Sequence, residues 1–520
     1  MPQRFRVTYA TLSADNEDLH AAYDEGLRVA RSWVGETIPV YVSGSPRTSG
    51  PVHDVLSPTD QAVLCHVHEA SRSDVDDAVT AAAAAAPGWA ATPWQRRVSL
   101  LRTVAEEISD RSNELAALMS MEVGKNRLES LGDVEEAADL IRYYCKAVED
   151  NDGFNRPMDT LSAREKTRSV LRPYGVWGVI SPFNFPMSLA AGPMGAALVA
   201  GNTVVLKPSL QGSFTTAKLY ECFRDAGLPA DVFHMLTGGD EPGKAVVDHP
   251  GIAGLTFTGS YEVGMSIHSK FSGPYPKPLI CEMGGKNPAV ISARADLDTA
   301  ATGVARSAFG LSGQKCSSCS RVYVQRELYP EFVQKLADLA NKMVVGDPTD
   351  RSVFVGPVID EAAVQRYERA VTHAREAGHV DAGGEVLRNR EGHGNGNYVA
   401  PTVVTGLPAD DWLMRTELFV PFVAVYPVDS LDEALRLANA TPLGLTAGFF
   451  STDQAEIEQF LATIQAGVVY VNRSAGATTG AWPGVQPFGG WKGSGSSGKA
   501  GGGLYYVQLY MREQSQTVVE

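Results

Sequence analysis

The chain has 520 residues, of which 44% are hydrophobic and 20% charged, and its formal net charge is −15. This length is too great for one hydrophobic core and predicts two or three domains. The acidic balance argues against nucleic-acid binding, which depends on clustered Lys and Arg, and it offers an anionic substrate no overall attraction.

Helices are predicted first along the chain. Residues 1–50 are expected to form short helices, and residues 71–92 form an Ala-rich run with polar residues placed to cap its start. Amphipathic helices are predicted to follow over residues 94–122 and 131–147.

Beyond residue 170, short apolar runs alternate with helical stretches, a pattern typical of parallel α/β sheets. Two such series are present, and they meet near residues 282–287. We therefore predict two α/β domains with a cleft between them, where ligand sites usually form. Residues 151–172 and 500–520 fit neither series, and residues 505–510 predict a strand.

Two glycine-containing segments are weak signals for nucleotide binding. Residues 493–498 match G-x-G-x-x-G in letters, but no strand precedes them and no crossover unit follows, so we interpret them as a Gly-rich loop. Residues 259–264 lack the Gly-Lys-Ser/Thr ending of a phosphate loop, which argues against ATP chemistry.

The six cysteines lack the regular spacing of a disulfide framework, and Cys316 and Cys319 form a C-x-x-C pair. No His lies between residues 269 and 372, so we predict no metal site there. The N-terminus has no apolar signal segment, and no apolar stretch reaches the ~18 residues that span a bilayer. We therefore expect a soluble, cytoplasmic protein without a membrane partner.

Two residues carry most of the chemical information. Cys316 follows Gly-Gln-Lys in a small polar segment, and Glu282 precedes a Gly-Gly turn. Such a thiol is a candidate nucleophile, and such a carboxylate is a candidate base that activates a thiol or a water. A lone Cys is more often a small buried hydrophobe, and a lone Glu more often a solvated charge. The functional interpretation therefore depends on the motifs around them.

The motifs resemble, in order and over nearly the whole chain, those of the aldehyde dehydrogenase superfamily. They lie at residues 181–186 (SPFNFP), 204–209 (VVLKPS), 257–264 (FTGSYEVG), 282–288 (EMGGKNP), 313–316 (GQKC), 417–421 (ELFVP) and 487–490 (PFGG).

This resemblance implies an α/β, aldehyde dehydrogenase-like fold with two Rossmann-type parallel-sheet domains and a small β oligomerisation flap. The implied NAD(P)-binding domain comprises residues 1–150 and 173–284, and the implied catalytic domain comprises residues 285–480. The implied oligomerisation flap comprises residues 151–172 and 500–520.

The resemblance also implies a reaction, oxidation of an aldehyde to a carboxylate through a Cys316 thiohemiacetal and thioester. Asn184 and the Cys316 backbone N–H would stabilise the oxyanion, and Glu282 would activate water. The implied cofactor is NAD, with NADP as the alternative. The implied cofactor-binding residues are Ser181, Lys207, Ser209, Gly259, Ser260, Glu417 and Phe419.

The chain departs from the superfamily pattern at two positions. Leu210 stands where NAD-using members often have a Glu that binds the adenosine ribose, which leaves the choice between NAD and NADP open. Val420 stands where a Gly is usual, which predicts a small shift of the Glu417 loop.

A narrower resemblance concerns the 1-pyrroline-5-carboxylate, or glutamate-semialdehyde, dehydrogenases. Residues 314–321 (QKCSSCSR), 479–490 (TGAWPGVQPFGG) and 122–125 (EVGK) are similar to segments of that family. It implies oxidation of L-glutamate γ-semialdehyde to glutamate in proline catabolism, with aromatic side chains around the aliphatic stem and polar groups on the α-carboxylate. The implied substrate-binding residues are Phe185, Lys315, Ser317, Gly480, Ala481 and Phe488.

Two other functions stay open at this point. A general aliphatic or aromatic aldehyde dehydrogenase is one, because the bulk of Trp482 could shape a different pocket. A non-catalytic binding or structural protein on the same fold is the other, although the intact Cys316, Glu282 and Asn184 argue against it. The expected partners are a small-molecule aldehyde and further copies of the chain in a homo-oligomer.

Overall fold

The structure is a computed structural model that describes residues 14–272, 275–475 and 482–520. Its α-helices are α1 (Glu17–Ser32), α2 (Arg72–Ala91), α3 (Trp94–Asp110), α4 (Ser112–Val123), α5 (Arg127–Asp150), α6 (Ser188–Ala200), α7 (Ser213–Asp225), α8 (Asp240–Asp248), α9 (Tyr261–Lys270), α10 (Leu297–Phe309), α11 (Tyr329–Lys342), α12 (Glu361–Ala377), α13 (Leu431–Ala438) and α14 (Gln454–Thr463).

Its strands are β1 (Glu36–Ile38), β2 (Val40–Val42), β3 (Ser45–Arg47), β4 (Val52–Leu56), β5 (Val63–His68), β6 (Asn155–Pro157), β7 (Glu165–Pro173), β8 (Val176–Ser181), β9 (Thr203–Pro208), β10 (Phe233–Met235), β11 (Gly254–Gly259), β12 (Leu279–Met283), β13 (Asn287–Ile291), β14 (Cys319–Gln325), β15 (His379–Ala382), β16 (Thr402–Thr405), β17 (Phe422–Val428), β18 (Leu443–Gly444), β19 (Thr446–Phe450), β20 (Val468–Val471), β21 (Trp491–Lys492) and β22 (Met511–Val519).

The first seven-stranded sheet has the order β12-β11-β8-β9-β10-β2-β3. Strands β12 to β10 in this order run parallel, and the β2–β3 hairpin closes the edge antiparallel. All six residues of β9 are buried, as expected for a parallel strand covered by helices on both faces. The α/β class predicted from the alternating pattern is therefore confirmed.

The second seven-stranded sheet has the order β15-β16-β17-β14-β13-β19-β20. It is parallel except at the β15 edge. Strand β12 ends in the first sheet at Met283 and β13 starts in the second at Asn287, so residues 284–286 connect these two strands. The predicted boundary between residues 284 and 285 falls inside this connection, and the assignment of the two halves to cofactor binding and catalysis remains a prediction.

A separate antiparallel sheet contains β6, β7 and β22. Strand β22 pairs with β7 over nine residues, from Met511 opposite Pro173 to Val519 opposite Glu165. These strands fall mainly within the segments predicted as the flap, whose part in oligomerisation remains a prediction.

Two local predictions were wrong. The strand predicted over residues 505–510 is a 3₁₀-helix over Val507–Tyr510, because Tyr506 and Tyr510 both turn inward, with ring centroids 5.4 Å apart. In a strand, residues four positions apart lie on one face but about 13 Å apart, whereas a helical turn brings them into contact. Within the N-terminal segment predicted as helical, α1 is a helix, whereas β1, β2 and β3 are strands.

Helix α7, which follows the predicted cofactor residues on β9, starts without a cap of its own. Its N-cap residue is Gly212, at φ +103°, and no local side chain accepts from the first turn. Glu122, the penultimate residue of α4, replaces that cap from a distance. Its buried carboxylate accepts from the backbone N–H groups of Gly212, Phe214 and Thr215 and from the Thr215 hydroxyl, at 2.6–3.0 Å.

We expect Glu122→Ala to lower the urea midpoint of unfolding clearly, because four donors in a buried site lose their acceptor. Hydrogen bonds to a charged group contribute about 1.5–3 kcal/mol each. Circular dichroism as a function of urea concentration measures the midpoint. Midpoints are compared, and not free energies of unfolding, because a chain of this size need not unfold in two states. The control is Glu241→Ala, an exposed carboxylate in the first turn of α8; an equal shift in both variants would contradict the tertiary cap.

Candidate active site

A cavity of about 620 Å³ lies where the two sheets meet. Residues beyond the carboxyl ends of β8, β11 and β12 line one side of it, and the segment before β14 and the loop before β17 line the other. Ligands of open α/β sheets bind at the carboxyl ends of the strands, so this cavity is the candidate active site.

Cys316 lines the cavity and is held by an unusual backbone. Leu311 and Ser312, just before it, have φ values of +46° and +53°, a conformation that is strained for residues other than Gly. Asn287, the first residue of β13, donates from its side-chain amide to the carbonyls of Cys316 at 2.6 Å and Ser318 at 2.9 Å. The start of the second sheet therefore fixes the position of the thiol.

The thiol of Cys316 is the only one among the six cysteines, all of which lie in described residues, that is not buried. Enclosure by the protein, with the carboxylates of Glu417 and Glu282 next in effect, raises its pKa to about 12. The backbone N–H groups of Ser317 and of Cys316 itself act in the opposite direction. Cys316 is consequently a protonated thiol near neutral pH and must lose its proton before it attacks.

Glu282 lies near the end of β12 and faces the same cavity. Burial raises the pKa of its carboxyl to about 8, and a hydrogen bond from the Gly490 backbone N–H lowers it only partly. The second carboxyl oxygen, Oε2, is buried without a hydrogen-bond partner. A carboxylate of this pKa takes up a proton readily near neutral pH, as a general base requires.

Asn184, three residues after β8, completes the predicted catalytic set in the cavity wall. It is 3% exposed, and its side-chain Nδ2 donates to the Gln314 carbonyl at 2.9 Å. Because an amide nitrogen carries two hydrogens, one remains for an oxygen bound near Cys316. The structure thus brings Cys316, Glu282 and Asn184 to one cavity.

The predicted cofactor residues divide into two groups. Those that line the cavity are Gly259, Ser260, Glu417 and Phe419. Ser260 is the N-cap of α9, where its hydroxyl accepts the Val263 N–H at 3.3 Å, and a helix N-terminus suits a phosphate. The other residues lie outside the cavity lining, at the carboxyl ends of β8 and β9: Ser181, Lys207 and Ser209.

The connection between the sheets also places Glu417. Its Oε1 accepts the Gly285 N–H at 3.0 Å, and a Cβ atom on Gly284 would clash with its Oε2, so a side chain at position 284 would displace this carboxylate. Burial raises the pKa of Glu417 to about 7. Arg321, on β14, donates through Nε to the Lys286 carbonyl at 2.8 Å and closes the other side of the connection.

The predicted substrate residues are only partly in place. Phe185 and Phe488 line the cavity, whereas Lys315 and Ser317 do not, and Gly480 and Ala481 lie outside the described residues. The Lys315 ammonium is buried 3.6 Å from the Glu129 carboxylate. The predicted contact of Lys315 with a substrate carboxylate does not agree with this geometry, because Glu129 already neutralises its charge.

The sequence alone did not single out Asn287, nor the part played by the loop over residues 493–498. That segment is a loop, as interpreted from the sequence, and it packs along β12. The Ser494 carbonyl accepts the Met283 N–H at 2.9 Å, and the Ser494 hydroxyl donates to the Gly284 carbonyl at 2.7 Å. Gly495 forms a bridge with Glu282. The loop therefore holds the end of β12, which carries Glu282, in place. No motif within either segment indicates that the loop pairs with β12.

Neither a metal cluster nor a membrane span appears in the part of the chain that the structure describes. No group of three or more His, Cys, Asp or Glu residues there is arranged to hold a metal ion. No helix among those residues combines the length and the apolar character needed to cross a bilayer.

Residues 46–516 match the Aldehyde dehydrogenase family. The chain belongs to the aldehyde dehydrogenase family. Its membership and its aldehyde dehydrogenase-like fold, both predicted from the motifs, are confirmed, and this family member is an enzyme of aldehyde oxidation.

Three relatives of this family member illustrate the similarity. A 1-pyrroline-5-carboxylate dehydrogenase of Bacillus cytotoxicus is 36% identical over 505 residues, 95% of each chain. The crystal structure of a Thermus 1-pyrroline-5-carboxylate dehydrogenase with bound NAD is 32% identical, with a TM-score of 0.94 and 100% of each chain covered. Proline utilization A from Bdellovibrio bacteriovorus is 33% identical with a TM-score of 0.91, over 96% of this chain and 51% of its own length.

We expect the carboxylate of Glu417 to slow alkylation of Cys316 by iodoacetamide, because that carboxylate disfavours the thiolate. Glu417→Gln removes a negative charge, lowers the pKa of Cys316 and should speed the reaction several-fold at a fixed pH. Mass spectrometry of the Cys316 peptide from pH 7 to 10 measures the rate. Glu241→Gln, on the exposed start of α8, should change nothing; an unchanged or slower rate in Glu417→Gln would exclude this electrostatic coupling.

Proposed function

We propose that this aldehyde dehydrogenase oxidises L-glutamate γ-semialdehyde, which is in equilibrium with 1-pyrroline-5-carboxylate, to glutamate, and that it does so in proline catabolism with NAD. The observation that carries the proposal is the convergence of Cys316, Glu282 and Asn184 on one cavity whose wall also contains Phe185 and Phe488. The names of the relatives, with one structure holding NAD, support the substrate and the cofactor.

In this mechanism the Cys316 thiol gives up its proton to solvent, and the thiolate attacks the carbonyl carbon. The oxyanion that forms accepts hydrogen bonds from the free amide hydrogen of Asn184 and from the Cys316 backbone N–H, donors typically worth about 10²–10³ in rate. The chemistry that bound NAD would supply here is acceptance of the hydride from the same carbon, which would leave Cys316 in a thioester. Glu282 then takes a proton from water, which hydrolyses the thioester and frees the thiol.

We assign NAD to the strand ends that form one side of the cavity. Gly259 and Ser260, at the start of α9, would hold the pyrophosphate, and Glu417 with Phe419 would hold the nicotinamide ribose and ring. Ser181, Lys207 and Ser209 would contact the adenosine end. Sequence position and the cavity lining support this assignment, together with the bound NAD of the Thermus relative.

The surroundings of Lys207 favour NAD over NADP. Burial lowers the pKa of its ammonium to about 8, and the nearby carboxylates of Asp240 and Glu69 partly restore it. Glu69 is held in place by the Gly239 N–H at 2.9 Å and lies beside the start of α8. The 2′-phosphate of NADP would be repelled by these two carboxylates, and the one cation nearby, Lys207, already interacts with both. The 2′-hydroxyl of NAD can instead donate a hydrogen bond to a carboxylate.

For the substrate, Phe185 and Phe488 would enclose the aliphatic stem. Ser317, Gly480 and Ala481 remain the proposed anchor of the α-carboxylate. Local donors are needed, because the net charge of −15 gives an anionic substrate no overall attraction. Lys315 is not part of this proposed anchor, since its charge is paired with Glu129.

We also propose that the enzyme is a cytoplasmic homo-oligomer. Its six cysteines are free thiols, as a reducing compartment favours. The antiparallel sheet of β6, β7 and β22, with its connecting loop, carries exposed apolar side chains, which support a contact with another copy. They are Met158, Leu161, Val518 and Val519.

Initial rates of reduced-cofactor formation test the substrate and the cofactor together. We expect glutamate semialdehyde with NAD to give the highest kcat/KM in a panel that includes hexanal, benzaldehyde and NADP.

Ser317→Ala should lower kcat/KM for glutamate semialdehyde roughly tenfold to a hundredfold, because one hydrogen bond to a charged carboxylate is lost. It should change kcat/KM for hexanal little. Ser318→Ala is the matched control, because the Ser318 hydroxyl is buried without a partner. Faster oxidation of hexanal or benzaldehyde by the wild type would favour a general aldehyde dehydrogenase instead.

The raised pKa of Glu282 predicts a pH dependence for thioester hydrolysis. The active base is the carboxylate, so the steady-state rate, where hydrolysis limits it, should rise about tenfold per pH unit below pH 8 and level off above.

Glu282→Gln should form at most one equivalent of reduced cofactor per site and then stop, which stopped-flow absorbance measures. Sustained turnover by Glu282→Gln would remove Glu282 from the role of hydrolytic base.

A further inference from the structure

Lys125 lies behind the aromatic wall of the cavity. It stands in the short connection between α4 and α5, and its ammonium nitrogen is 3.5 Å from the centroid of the Phe185 ring. Phe185 lines the cavity, whereas Lys125 does not, and the Lys125 side chain has no exposed surface. The ring therefore stands between the ammonium and the space where an aldehyde would bind.

A buried carboxylate holds the ammonium in this position. Asp133, on the second turn of α5, accepts from Lys125 Nζ at 3.0 Å, and both side chains are completely buried. The other oxygen of Asp133 accepts the N–H of Ser188 at 2.9 Å. Ser188 is the first residue of α6, which has no side-chain cap of its own. Asp133 thus ties Lys125 to the helix that begins three residues after Phe185.

The contact restricts the rotation of the ring. A cation is attracted to the negative face of an aromatic ring and repelled by its positive edge. With the ammonium over one face, a quarter turn of the Phe185 ring would bring that edge toward the charge. The contact therefore fixes the plane of the ring, and a ring of fixed plane packs better against an extended aliphatic stem than one that is free to turn.

We propose that Lys125 is a positioning residue for substrate binding, which acts by fixing the plane of the Phe185 ring. The identity of the substrate rests on the proposed function, but the coupling between the two side chains does not. Lys125 touches neither substrate nor cofactor, so its removal should affect KM far more than kcat.

A double-mutant cycle with Lys125→Met and Phe185→Leu tests this coupling. Lys125→Met should raise KM for glutamate semialdehyde roughly tenfold while kcat stays within about twofold, a loss in line with a desolvated cation–π contact. In the Phe185→Leu background, where no ring remains to be held, Lys125→Met should raise KM by less than about twofold.

Lys218→Met is the matched control. Lys218 is also buried, at 5% exposure, lies over the rings of Trp33 and Phe214, and pairs with Glu36 at 2.7 Å. It does not line the cavity. Its removal should cost stability and leave KM unchanged, which separates positioning from a general loss of packing.

Removing one partner of a buried ion pair destabilises a protein strongly. The double variant Lys125→Met/Asp133→Asn, which removes both charges, is therefore measured in the same cycle. Asn at position 133 can still accept the Ser188 N–H. If Lys125→Met alone does not fold, the double variant takes its place. An unchanged KM in the Lys125 variants, or an equal rise of KM with and without Phe185, would overturn the proposal. If the wild type does not oxidise glutamate semialdehyde, only the proposed substrate is wrong. The cycle is then measured with hexanal, and the same changes of KM support or overturn the role of Lys125.

Discussion

The relative position of base and nucleophile depends on the three residues that join the two parallel sheets. Glu282 is the last residue but one of β12 in the first sheet, and Asn287, which holds Cys316, begins the second sheet, so residues 284–286 set the span between them. Glu417 fills the space that a side chain on Gly284 would need, and Arg321 holds the Lys286 carbonyl. A connection this short, held from both sides, keeps the two reacting groups in one geometry.

The same enclosure orders the ionisation of the site. Enclosure by the protein raises the pKa of Cys316 to about 12, of Glu282 to about 8 and of Glu417 to about 7, and both carboxylates disfavour the thiolate. Negative charge on all three together is therefore costly. When the attacking thiolate becomes part of a neutral thioester, that repulsion is gone, so Glu282 ionises more easily beside the thioester than beside the thiolate. The protein thus favours the base at the stage that needs it.

Sequence patterns were sufficient for the parts of the molecule that local chemistry determines. Continuous apolar strands indicated parallel sheets, and the ordered motifs indicated that Cys316, Glu282 and Asn184 belong to one site. They were insufficient where a distant partner decides the outcome. From the sequence, Lys315 was predicted to contact the substrate, but Glu129, on α5, pairs with its charge.

Tertiary packing also decided the local conformation in several places. The inward packing of Tyr506 and Tyr510 turned a strand-like run into a 3₁₀-helix. The support of β12 by Ser494 and the capping of α7 by Glu122 likewise join segments far apart in sequence. No pattern within either segment contains that information.

The pairing of β22 with β7 bears on when the molecule can fold during its synthesis. Lys166 and Glu520, which pair across these strands, are 354 residues apart in sequence. A ribosome adds roughly 5–20 residues each second, so β7 leaves the exit tunnel many seconds before its partner strand exists. Throughout that interval β7 carries an unpaired edge open to other nascent chains. The charged residues of β7, Glu165, Lys166, Arg168 and Arg172, oppose such contacts, because charge on an open edge discourages pairing with the wrong strand.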